Sequence, residues 1–82
     1  MEAQIVTFLG LIEQRWGAYP RRIVQSEISK FGTINKYIRR PKGLPKSEVI
    51  EQITPYRGKL TDEFLDDINN IASQCGVDIK IV

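Results

Sequence analysis

Between Thr61 and Val82 the apolar residues change period, and that change constrains the fold more than any other feature of the chain. Phe64, Leu65, Ile68, Ile71, Ala72 and Cys75 recur at the spacing of one helical face. Thr61 stands where an N-cap belongs, Asp62 and Glu63 fall in the first turn, and Gly76 takes the place of a left-handed C-terminal cap. Beyond it, Val77, Ile79 and Ile81 alternate with Asp78 and Lys80, as in a half-buried strand. A lone strand leaves its ladder unpaired. Residues 77–82 therefore require a partner, either residues 33–40 of the same chain or the same strand of a second copy.

Upstream, Ile5, Phe8, Leu9, Ile12 and Trp16 place an amphipathic helix over residues 3–16, which Gly17 ends. Pro20 suits the first position of a second helix. That helix carries the stripe Val24, Ile28 and Phe31, ends at Gly32, and has Arg22, Gln25, Ser26 and Ser29 on its opposite face. Residues 33–40 fit either period, but Thr33, Ile34, Tyr37 and Ile38 are good strand formers and Pro41 favours an extended Arg40, so a strand is preferred. Pro41, Gly43 and Pro45 make 39–46 a loop. Ser47 then caps a short helix with Val49, Ile50 and Ile53, which stops before Pro55, and Tyr56, Arg57 and Gly58 form a turn. The expected fold is α+β: a small, mostly helical domain of three to four helices, whose C-terminal strand pairs with a central strand or with a second copy.

A chain of 82 residues, 41% of them apolar and 27% charged, has material for one core, so 1–82 reads as a single domain. A lone cysteine, Cys75, excludes an intrachain disulfide, and the lack of histidine argues against a zinc site. The apolar stretch 5–12 is too short to span a bilayer, and Glu2 sits where a signal peptide carries basic residues. A cytoplasmic (or nuclear) protein that does not contact membranes is expected.

The formal net charge of +2 hides a segregation. Residues 21–46 hold eight basic side chains (Arg21, Arg22, Lys30, Lys36, Arg39, Arg40, Lys42 and Lys46) against one acid, Glu27, for a charge of +7. Residues 1–20 carry −1 and residues 47–82 carry −4. Such a segment suits phosphate contacts, each of which releases condensed counterions. Gln25, Ser26 and Asn35 are candidate base readers, and Tyr37 is placed to stack on an unpaired base. The plainer reading is a solvated basic face that balances the acidic C-terminal half.

Two patterns bear on DNA and both fall short. Residues 25–33 resemble the helix and glycine turn of a helix-turn-helix, but the apolar-to-glycine spacing is one residue short. Arg39-Arg40-Pro41-Lys42-Gly43 is similar to the Arg-Pro core of minor-groove hooks, yet lacks a glycine before Arg40.

Nothing in the sequence assembles a catalytic site. Cys75 lies on an apolar stripe, no histidine exists to serve as a base, and no glycine-rich phosphate loop follows a strand. Asp62, Glu63, Asp66 and Asp67 pair at helical spacing, but acids there complement the helix dipole and need no metal. The expectation is a non-enzymatic protein without cofactor or metal. It would bind nucleic acid (DNA or RNA) through Arg21, Arg22, Lys30, Lys36, Arg39, Arg40, Lys42, Lys46, Gln25, Ser26 and Asn35. The competing expectation is a protein-interaction module, such as an inhibitor, adaptor or assembly factor. It would dock an acidic protein surface on the basic face, or a basic partner on the acidic last helix, and self-association is compatible with either.

Overall fold

The computed structural model describes residues 2–37, 53–54 and 58–82. Helix α1 (Glu2–Trp16) buries Phe8, Leu9 and Ile12 and half-buries Trp16. It packs against both other described helices, α2 (Ala18–Phe31) and α3 (Asp62–Cys75), and so forms the middle of the helical layer. The turn from α1 to α2 is a single residue, Gly17, whose φ of 107° is open to glycine and strained for other residues.

Helix α2 begins two residues earlier than Pro20 predicts, with Gly17 as its N-cap. Its first i to i−4 bond runs from Arg21 N–H to Gly17 O, so Pro20, one position before, gives up no donor the helix uses. The proline ring is free to fill the core. The buried residues of α2 are Pro20, Ile23 and Val24, with Ile28 partly buried. Phe31 departs from the expected stripe: it is 66% exposed. It is the last helical residue, and the chain turns away at once through Gly32, whose φ of 70° and N–H bond to Ile28 O form a left-handed cap.

Strand β1 (Thr33–Ile34) pairs in parallel with β2 (Lys80–Ile81), Thr33 opposite Lys80 and Ile34 opposite Ile81. Val82 extends the ladder, donating to Ile34 O (2.8 Å) and accepting from Lys36 N (2.9 Å). Of the two expected partners, the segment at residues 33–34 within the chain is the one it pairs with here. On the other side of this segment, Leu60 N donates to Lys36 O, and Tyr37 forms an antiparallel bridge with Lys59.

Helix α3 carries the caps its sequence specifies. Thr61 Oγ1 accepts from Phe64 N at 3.2 Å. At the other end Gly76 N bonds Ser73 O and Val77 N bonds Ala72 O, the paired bonds of a Schellman motif around a glycine at φ 69°. One apolar cluster holds these elements together, with Phe8, Ile12, Val24, Ile34, Ile53, Leu60, Phe64 and Ile68 fully buried. Thr61 N bonds Ile53 O, which ties residues 53–54 to the start of α3. The domain is therefore mostly helical and α+β. The short helix expected at 47–53 lies, except for Ile53, outside the described residues.

Candidate nucleic-acid interface

The basic residues of α2 do not behave as a set. Arg21 turns toward α1, where its Nη1 meets Glu13 Oε2 at 2.8 Å, and its Nε is shielded from solvent without a partner. Its ion pair therefore bridges α1 and α2. Arg22 is exposed, with its guanidinium carbon 6.0 Å from the centroid of the Tyr19 ring, within reach of a cation–π interaction. Lys30 and Lys36 are exposed. Among the described residues, Arg22, Lys30 and Lys36 form no ion pair. Arg39, Arg40, Lys42 and Lys46 lie outside the described residues.

Of the expected base readers, Ser26 is exposed on α2. Gln25 is exposed too and lines an open groove of about 280 Å³ between α1 and α2, together with Ile5, Val6, Leu9, Ile28 and Ser29. Asn35 is exposed, but its Oδ1 accepts from Tyr37 N at 3.0 Å, so its acceptor is committed to the turn. Thr33–Ile34 after Gly32 is a strand, so among the described residues no recognition helix follows the glycine at the spacing a helix-turn-helix requires.

The pairing of residues 33–37 with both the 80–82 and the 59–60 segments brings together residues that sequence reasoning kept apart. Side chains alternate across a sheet, and paired residues share a face. Ile34 and Leu60 are buried and Ile81 packs partly against the core, whereas Thr33, opposite Lys80, is half-buried, and Asn35, Tyr37 and Lys59 are exposed. Lys59 and Lys80 are exposed, Tyr37 is 67% exposed, and neither lysine forms an ion pair among the described residues. Both lysines were missed because they sit in the acidic C-terminal half. The alternation of residues 77–81 already assigned Lys80 to a polar face, but nothing local places Lys59 beside Tyr37.

The acidic helix is also divided in use. Asp67 holds α1 to α3, accepting from Trp16 Nε1 and pairing with Arg15, while Asp62, Glu63 and Asp66 are exposed. Among the described residues no group of three or more metal-ligating side chains converges. No helix among them is long and apolar enough to cross a membrane. Cys75 is half-buried against the core. No protein-family model, curated protein or solved structure matches this chain.

Proposed function

We propose that this is a small, non-enzymatic nucleic-acid-binding protein, a regulator or accessory factor, that holds phosphates with its basic segment 21–46. The observation that supports it best is the exposure of Arg22, Lys30 and Lys36, unpaired among the described residues, within a segment of charge +7. Arg21 is the member set aside, since Glu13 already neutralises it.

The test is fluorescence anisotropy with labelled duplex DNA, single-stranded DNA and RNA, over about 50 to 200 mM salt. Micromolar or tighter binding with a steep salt slope is expected, weakened by Arg39→Ala with Arg40→Ala and by Arg22→Ala with Lys30→Ala. No binding at the lowest salt overturns the reading.

A second reading, a protein-interaction module, is favoured by one observation. The groove between α1 and α2 is apolar along Ile5, Val6, Leu9 and Ile28, and Val6 and Phe31 stay more than half exposed. Apolar patches of this kind mark association sites when they are contiguous. Sedimentation velocity tests self-association through it: the reading requires a concentration-dependent rise in mass that Val6→Asp abolishes.

A further inference from the structure

The solvent-facing side of the small sheet is a site distinct from the helical basic residues, and we infer that it takes single-stranded nucleic acid, one base stacking on Tyr37. The inference rests on the nucleic-acid reading above and narrows it to a substrate class.

Three strands of backbone meet here through the bonds Val82 N to Ile34 O, Lys36 N to Val82 O, and Leu60 N to Lys36 O. Thr33–Ile34 and Lys80–Ile81 pair as strands, and the chain bends at Lys36 before Tyr37 meets Lys59. Lys80 stands opposite Thr33 at one end and Lys59 opposite Tyr37 at the other, with Lys36 exposed at the bend between them. A lysine opposite Thr33 at one end, and an exposed ring with a lysine opposite it at the other, fit a strand whose phosphates run past lysines while a base lies on the aromatic. Asn35 Oδ1 bonds Tyr37 N and so holds the backbone that carries the ring.

The charge on the face favours an anion. Lys59 and Lys80, with Lys36 exposed at the bend, form no ion pair among the described residues, and Asp78 is exposed two residues before Lys80. A duplex keeps its bases stacked inside and offers Tyr37 no free base, so stacking selects single strands over duplex. An acidic peptide satisfies the lysines equally well but leaves the ring without a stacking partner.

The test compares short single-stranded DNA, RNA of the same sequence and the DNA duplex by anisotropy, on the full chain and its variants. Expected is tighter binding of a single strand than of duplex. Tyr37→Ala should weaken single-strand binding roughly 5- to 100-fold, and Tyr37→Phe should restore it. Lys59→Ala and Lys80→Ala should each reduce the salt slope by about 0.7, the single-strand value per phosphate. Asp78→Asn should tighten binding. Amide shifts on titration with oligo-dT should map to residues 33–37, 59 and 80–82. Thermal melts by circular dichroism verify that each variant is folded.

Equal or tighter duplex binding, or single-strand binding indifferent to Tyr37→Ala, overturns this inference and leaves the broader reading standing. Absence of binding to every nucleic acid overturns both. Preference for RNA or for DNA among the single strands identifies which of the two supplies the ligand.

Discussion

Trp16 Nε1 donates to Asp67 Oδ2 at 2.6 Å, a link between the end of α1 and the middle of α3 that spans 51 residues of sequence. The other carboxylate oxygen, Oδ1, takes Arg15 Nη2 at 2.9 Å. The Trp16 ring meets Phe64 edge-on, with centroids 5.0 Å apart and planes at 82°. Asp67 is only 14% exposed, so the indole N–H and the carboxylate satisfy each other where little water reaches. An aspartate that reads in sequence as part of a solvated acidic face is a joint between helices.

Asp67→Ala should therefore destabilise the domain by about 1.5 to 3 kcal/mol, the range for a hydrogen bond to a charged group. Urea unfolding followed by Trp16 fluorescence measures it. Arg15→Ala should cost less, below about 1 kcal/mol, because Arg15 is 55% exposed and its pair is screened by solvent. A double-mutant cycle between Trp16→Phe and Asp67→Asn should show coupling, since the two share one bond.

The two glycines Gly76 and Gly10 should respond with opposite signs. Gly76 sits at φ 69° in the C-cap of α3, and a Cβ there would also meet Gln4 Nε2 at 3.4 Å. Gly76→Ala should lower stability by about 1 to 2 kcal/mol. Gly10 lies within α1, with nothing within 4 Å of an added Cβ. Gly10→Ala should raise stability by up to about 1 kcal/mol, as expected for helix propensity. Paired thermal melts read both.

Thr61→Ala should cost about 1 kcal/mol by removing the acceptor for Phe64 N, and Thr61→Ser should recover most of it. Amide exchange in the first turn of α3 supplies a local readout, since fraying there exposes Phe64 and Leu65 N–H.

Phe31→Ser should change stability by less than about 0.5 kcal/mol, despite removing one of seven aromatics, because the ring is 66% exposed. Val24→Ala, two turns earlier on the same stripe and fully buried, should cost more than about 1 kcal/mol. Denaturant midpoints for the two variants separate the buried stripe from its exposed end.

Those contrasts mark how far the sequence is legible. Helix α3 was readable at both ends because its cap residues act locally: Thr61 bonds three residues ahead and Gly76 bonds back to Ala72 and Ser73. The tail beyond it was readable in part, as alternation needs no partner to be seen, but of residues 77–82 the strand takes Lys80–Ile81. The start of α2 was misjudged because Pro20 fits any of the first positions, where no donor is required. Phe31 was misjudged because periodicity gives a direction around the helix axis and says nothing of where neighbouring elements end. The surroundings of the candidate residues were the least legible. Arg21 is neutralised by a residue eight positions back, and Lys59 and Lys80 join Tyr37 only through backbone pairing over distance.

That pairing also imposes an order in time. The bonds of Val82 to Ile34 and Lys36 close a loop of well over half the chain, whereas α1 and α2 are separated by one residue. Loop-closure entropy delays such long-range contacts relative to local ones, so the helical hairpin can assemble before the sheet exists. The face bearing Tyr37 is thus created late in folding, and a ligand gripping it across the three segments would resist their separation. Occupancy there and persistence of the closed sheet are two readings of one equilibrium, each strengthening the other in proportion to ligand concentration over Kd.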